Sequence, residues 1–196
     1  MIKIVLSLVA VSALAAGCAA TGAPTPTPAA PAAPAATTGP TVPAIATDVS
    51  APKPWSTEPV TVVHQPNVPP VPVMIAIRYA AHRDEGYDRI VFDIAGALPG
   101  YTVKYVSQVR ADGSDQPVSV PGSKYLLMVM TPAQAHRETG GPTVSGVHRV
   151  DLPMLESYAV VGDYEGHVSI ALGLNGKAGY RVGELDGRIY IDVQAR

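Results

Sequence analysis

The feature that most constrains this sequence is a period-two alternation of apolar and polar side chains, which recurs throughout residues 71–196. In the run Asp88–Ile94, the isoleucines and the phenylalanine share one face, whereas Arg89 and Asp93 lie on the other. Such alternation is typical of a half-buried β-strand. Six further strands are predicted from similar runs at 73–79, 101–109, 155–161, 167–174, 180–185 and 188–193, and a seventh from the run at 124–130.

Turn residues separate these runs, and one short segment has the pattern of a helix start. Asp186-Gly187 joins the last two runs and predicts a tight type I′ hairpin. Thr131-Pro132-Ala133-Gln134 offers a capping hydroxyl, a proline at the first helical position and a capping glutamine, so a short helix is predicted to about Arg137. Because the run at 124–130 is apolar throughout, we expect it to lie deep between two layers. The fold class is therefore all-β, a β-sandwich or small open barrel of about 8–9 short strands with one short helix.

Composition divides the chain ahead of this domain. Residues 19–70 hold 13 of the 20 prolines and only three charged side chains. A segment with so little apolar surface cannot offset its ordering entropy, so residues 18–70 are predicted to be a disordered Pro/Ala/Thr-rich tether. Trp55, the only tryptophan, is expected to be an incidental tether residue or a loose cap on the domain. Residues 71–196 are then one β domain, large enough for a single core.

The N-terminus has the pattern of an export signal that ends at the only cysteine. A basic start is followed by an apolar run, Ile4–Ala13, which is too short to span a bilayer. The small residues before Cys18 resemble the lipobox of bacterial lipoproteins, which implies a signal peptide at 1–17 and acylation of Cys18. The alternative is cleavage after Ala15, which would leave a free thiol in a secreted chain. We expect a lipid-anchored protein on the extracytoplasmic side of the cell membrane.

Charge and motif content argue against several classes of function. The net charge is -2 and the basic residues do not cluster, so no nucleic-acid partner is predicted. The five histidines are scattered and there is one cysteine, so neither a metal site nor a cofactor is predicted. Asp112 and Asp115 are interpreted as turn formers rather than calcium ligands. No catalytic motif is present, and no catalytic residues are predicted.

Four blocks of sequence carry a resemblance to a known family. They are 86–94, 98–106, 161–174 and 179–182. In order and spacing they resemble the AMIN-like domain of bacterial cell-envelope lipoproteins, over roughly residues 74–193. The resemblance implies a β-sandwich that acts as a non-catalytic targeting or binding module, with peptidoglycan or another envelope component, including an envelope protein, as its partner.

Tyrosine is the residue type that suggests a ligand surface. The chain has nine tyrosines and one phenylalanine, which favours aromatic surfaces with a polar tip. A sugar ring could stack on such a surface while an arginine pairs with a carboxylate of the wall. The alternative is that these tyrosines cap a small core at the sheet rims. The predicted ligand face consists of Arg78, Tyr79, Tyr87, Arg89, Tyr101 and Tyr105.

Two other classes of function stay open at this point. A carrier of an apolar ligand would need a large cavity lined by Met74, Met128 and Met130. A glycan hydrolase would need two carboxyl groups about 5 to 10 Å apart across a cleft. The carboxylates in predicted loops or at strand ends are Asp84, Glu85, Asp88, Asp163 and Glu165.

Overall fold

A computed structural model describes residues 53–195, which form ten β-strands. The strands are β1 (Val60–Val62), β2 (Val73–His82), β3 (Tyr87–Ala95), β4 (Gly100–Val106), β5 (Lys124–Thr131), β6 (Gly146–Arg149), β7 (Leu155–Tyr164), β8 (His167–Leu174), β9 (Tyr180–Leu185) and β10 (Arg188–Gln194). All eight predicted strands are present. β1 and β6 are additional.

The strands form two antiparallel sheets that face each other. The larger sheet has the order β1-β4-β5-β8-β7-β6 and the smaller has the order β2-β3-β10-β9. The prediction of an all-β sandwich is confirmed. Among residues 53–195 there is no helix, and hence none with the length and hydrophobicity needed to span a bilayer.

One main core fills the space between the sheets. Alternate residues of every long strand point into it, among them Phe92 and Ile191 from the smaller sheet and Leu126 and Ile170 from the larger. The three methionines considered as the lining of a carrier cavity, Met74, Met128 and Met130, are fully buried members of this core. They act as packing residues, as flexible thioethers often do in cores.

A second, smaller core lies on the outer side of the larger sheet. Residues 107–122, here called the strap, cross that side and place Val109, Val118 and Val120 against Ala159 and Ala171 of the sheet. β5 is therefore covered on both faces, which explains why its sequence is apolar throughout and confirms that it lies deep.

The predicted short helix is wrong. The backbone from Thr131 to Arg137 is extended, and its N–H groups bond to neighbouring segments instead of to the preceding turn. The Gln134 N–H donates to the Pro72 carbonyl at 3.0 Å, and the Ala133 N–H donates to the Gly166 carbonyl at 2.9 Å. Ala133 and the alanine two residues later are both buried, so the burial period is two. Tertiary pairing has overridden a local capping pattern.

The two tightest hairpin turns also differ from expectation. Leu185 pairs with Arg188, so the predicted two-residue hairpin is present. Only Gly187 has a positive φ there, at 62°, so the turn is not type I′. The turn with positive φ at both central residues is the one between β7 and β8, with 50° at Glu165 and 75° at Gly166.

The folded part begins earlier than the predicted boundary at residue 71. Val60 in β1 pairs with Val103 in β4, inside the segment predicted to be tether. Upstream of β1, Ser56 exchanges two backbone hydrogen bonds with Tyr180 in β9, at 3.1 and 2.8 Å. The segment therefore joins one edge of each sheet. Its valine pattern was obscured by the surrounding prolines.

Candidate functional site

The outer face of the smaller sheet presents four arginines to the surroundings. Because alternate residues of β3 and β10 point into the core, the residues between them point outward. We call this surface the arginine face. It comprises Arg78, Arg89, Arg181, Arg188, Asp93, Asp192, Tyr87 and Tyr190.

The centre of the arginine face is a buried carboxylate held by two guanidinium groups. Asp192 is fully buried although it points away from the main core. Arg89 donates to it in a bidentate manner, at 2.5 and 2.9 Å, and the Arg181 Nε donates to it at 2.8 Å. The hydrogen bond to Asp192 is the main cause of the raised pKa of Arg89. A planar guanidinium fixed in this way keeps its orientation.

Three aromatic rings pack against these two guanidinium groups. The Arg181 Cζ lies 4.4 Å from the centre of the Trp55 ring and 5.0 Å from that of Tyr87. The Arg89 Cζ lies 5.3 Å from the centre of the Tyr87 ring and 4.2 Å from that of Tyr190. The His82 ring also stacks on the Tyr87 ring, with ring centres 4.6 Å apart, and Tyr87 is buried, so its ring is covered by protein. The rings available to a ligand are those of Trp55 and Tyr190, which are half-buried.

A second ion cluster on the same face is far more open. Arg78 donates two hydrogen bonds of 2.6 Å to Asp93, and the hydrogen bond to Asp93 is the main cause of the raised pKa of Arg78. Arg188 lies 3.4 Å from the same carboxylate. The side chains of Arg78 and Arg188 are 55% and 48% exposed, so each keeps N–H groups that face solvent.

The structure brings together only part of the predicted ligand face. Arg78, Tyr87 and Arg89 share the arginine face, whereas Tyr79 lies on the other side of β2, 44% exposed. Tyr101 and Tyr105 point into the main core between the sheets. The sequence correctly predicts that these two tyrosines share one side of β4 with Val103. That side faces the core, so it cannot present a ligand surface. The alternative, that some tyrosines serve as core caps, holds for this pair.

The sequence model of the AMIN-like domain family matches residues 72–195. The chain belongs to this family. No curated protein and no solved structure was found to match.

Membership agrees with the resemblance seen in the sequence and indicates an extracytoplasmic, envelope-associated module. AMIN-like domains are generally non-catalytic, and the related AMIN domains bind peptidoglycan. The match begins at residue 72, whereas the folded domain begins earlier, because β1 precedes residue 72.

Sequence reasoning missed the half of the arginine face that comes from β9 and β10, and the Trp55 ring that packs beside it. The alternation of the last hairpin contained the signal, because Arg181, Arg188 and Tyr190 all occupy its outward positions. A glycine completes the arrangement. A Cβ on Gly183 would lie 2.2 Å from the Tyr190 hydroxyl, so only glycine lets this ring lie across β9.

The carboxylates considered for glycan hydrolysis lie at two distant places in the AMIN-like domain. Asp84, Glu85 and Asp88 follow the end of β2, whereas Asp163 and its neighbour Glu165 lie near the start of β2. Asp88 is buried and accepts hydrogen bonds from the Met154 and Leu155 N–H groups. Asp163 accepts one from Ala135 and lies 2.7 Å from the His136 Nδ1. Both have structural partners.

A groove with a volume of about 650 Å³ runs beside β7. Tyr164, 64% exposed, and Asp112 line it, and the Asp112 carboxyl lies directly over Gly162. No three side chains of the metal-binding types come together in the described part of the chain. Asp112 and Asp115 lie in the loop at the start of the strap, where Asp115 has a positive φ of 53°, as expected of turn formers.

Proposed function

We propose that this chain is an envelope lipoprotein whose AMIN-like domain is a non-catalytic binding module for peptidoglycan. The observation that carries the proposal is the family match over residues 72–195. The signal sequence and the lipobox-like residues before Cys18 support anchoring to the membrane by a lipid on that cysteine. Cys18 lies outside the described residues.

The arginine face supplies groups suited to a wall polymer. Peptide and muramyl carboxylates are anionic, and the N–H groups that Arg78 and Arg188 keep free are the matching donors. The half-buried rings of Trp55 and Tyr190 offer apolar surface beside those donors. Asp192 fixes the arginines between the rings, so little ordering would be required when a ligand binds.

Co-sedimentation with insoluble peptidoglycan tests this proposal. The full chain, purified in detergent, is mixed with peptidoglycan and compared with an Arg78→Gln, Arg188→Gln variant. Charge-assisted hydrogen bonds are stronger than neutral ones, so loss of two arginines should weaken binding at least about tenfold. If the wild-type chain stays in the supernatant, the proposed function is wrong.

A matched control separates the face from a general charge effect. Arg110 and Arg149 are also exposed, at 47% and 61%, and each pairs with a carboxylate elsewhere on the surface. An Arg110→Gln, Arg149→Gln variant removes the same charge and should sediment like the wild type. If both variants lose binding equally, the ligand is bound by net charge rather than by the arginine face.

A further inference from the structure

The four sheet edges of the described domain differ greatly in how well they are protected. At the edges of the larger sheet, β1 has only three residues and β6 only four. In the smaller sheet, the start of β9 is covered by Ser56, which bonds to Tyr180. β2 is different, because it has ten residues and is the last strand of its sheet. Long unprotected edges are templates for pairing with another strand.

The free part of β2 runs from Ala76 to His82. Before it, Met74 bonds to Gln134 and a bulge interrupts the pairing with β3. From Ala76 onward the register with β3 is regular, and no other described strand pairs with the opposite side. This stretch contains one arginine, no proline and three alanines, so it has few of the devices that block edge pairing.

We infer that two copies of this chain associate by antiparallel pairing of their β2 strands, with Tyr79 on the two-fold axis. Tyr79 is the middle residue of Ala76–His82, so this register pairs the whole free stretch. It sets Tyr79 against its copy and covers a ring that is 44% exposed in a single chain. It also sets Arg78 opposite Ala80. An axis at Arg78 would oppose two like charges, which is destabilising.

Charge at the two ends of β2 fits the same arrangement. The turn after β2 carries Asp84 and Glu85 together with Arg83, and the segment beside the start of β2 carries Arg137 together with Glu138. A two-fold axis at the middle of β2 brings the end of one strand to the start of the other. Each end carries both signs of charge, so Asp84 and Glu85 of one copy can pair with Arg137 of the other, and Arg83 with Glu138.

The dimer would join the two smaller sheets into one sheet of eight strands. Arg78 and Asp93 point to the outer side of β2 and β3, so the two arginine faces become continuous. Two linked faces bind a repeating polymer with avidity. This consequence rests on the proposed function, whereas the dimer itself does not.

Disulfide trapping with a single cysteine tests the register. Cys18 is the only cysteine, so a Cys18→Ser, Tyr79→Cys full chain in detergent carries one thiol. Residues opposite each other in an antiparallel pair have Cα atoms about 4.5–5.5 Å apart, within the range of about 4.4–6.8 Å that a disulfide spans. We expect rapid formation of a disulfide-linked dimer under mild oxidation. The matched control is Cys18→Ser, Tyr164→Cys, whose residue 164 is exposed on the β7–β8 hairpin, outside the free stretch Ala76–His82, and should stay monomeric.

Light scattering of the full chain supplies the second measurement, because it does not depend on a cysteine variant. The wild type should change from monomer to dimer between low and high micromolar concentration, and Tyr79→Lys should stay monomeric while Tyr164→Lys dimerises normally. A chain that is monomeric throughout overturns the inference. So does a dimer that Tyr79→Lys leaves intact. Neither result bears on sedimentation with peptidoglycan, so the two proposals fail separately.

Discussion

Glu184 links the two sheets through a hydrogen bond between side chains. Its Oε1 accepts a hydrogen bond from the Tyr101 hydroxyl at 2.8 Å and lies 2.9 Å from the His64 Nε2. Partial burial acts to raise the pKa of Glu184, but the hydrogen bonds from His64 and Tyr101 outweigh it, so the pKa is below its ordinary value. A carboxyl with a lowered pKa stabilises the fold above its unfolded pKa of about 4.3, and this contribution disappears as the pH falls through the folded value.

We therefore expect Glu184→Gln to lower the free energy of unfolding by about 1 kcal/mol at pH 7 and by much less at pH 3. Urea unfolding of the full chain at both pH values measures this difference. Glu165→Gln is the control, since Glu165 is exposed at a hairpin turn and should leave both values unchanged. An equal loss at the two pH values would mean that Glu184 acts through packing rather than charge.

At this same scale, Arg78, Tyr87 and Arg89 were grouped because they lie beside the first inter-strand loop, and all three belong to the arginine face. Alternation was a weaker guide on β4. It could not tell the inner from the outer side of β4, because Tyr101 and Tyr105 are amphipathic and alternate with Thr102 and Lys104. Their hydroxyls find buried partners, Glu184 and the Ala178 carbonyl. Those partners come from β9 and the loop before it, which no local pattern connects to β4.

At the scale of elements, the strap is held against the larger sheet by close backbone contact at Gly173. A Cβ there would lie 1.8 Å from the Pro121 carbonyl oxygen and 2.5 Å from the Ser157 Oγ. Gly173→Ala should therefore push the strap away and cost about 1–3 kcal/mol, as overpacking generally does. Thermal unfolding of the full chain measures the loss. Gly176→Ala is the matched control, because nothing lies within 4 Å of a Cβ at that position. Equal stability of the two variants would show that the strap can move to accept the added methyl group without a loss of stability.

Long strands were predictable because several residues repeat the same alternation, as in β3 and β10. Short elements were not. β1 and β6 have three and four residues, too few to establish a period, and β6 is exposed along its whole length. The segment after Thr131 failed for another reason. It satisfies every local rule for a helix start, but its backbone donors have better partners in Pro72 and Gly166.

At the scale of the whole molecule, the segment at 53–70 is part of the folded unit. The Tyr180 hydroxyl lies 2.6 Å from the Glu58 carbonyl, and its burial raises the pKa of this phenol to about 12. Deleting residues 53–70 from the full chain removes β1, the Ser56 pairing and the Trp55 ring together. We expect a loss of about 3 kcal/mol from the roughly 5–15 kcal/mol typical of a domain.

Urea unfolding checks this loss, and a second deletion of equal length serves as the control. Removing residues 19–36 takes out Pro/Ala-rich sequence that was predicted to be tether, and it should leave the unfolding midpoint unchanged. If the two deletions behave alike, the edge contacts of 53–70 do not contribute to stability. The change in composition that set the predicted boundary at residue 71 could not reveal these contacts. Proline content indicates only the local backbone preference of a segment, whereas β1 and Ser56 are held by strands that are distant in the sequence.

The same segment determines how the domain could be built into larger chains. Trp55 and Gln194 approach Gly179 from two sides, and the Gln194 N–H bonds to the Gly179 carbonyl at 2.9 Å. The first and last residues of the folded domain are thus close in space. A short linker could therefore join them, and the turn at Glu165–Gly166 could be opened to give new termini. A unit with this property can be circularly permuted, or inserted whole into a surface loop of a host protein, with its strand order in space unchanged.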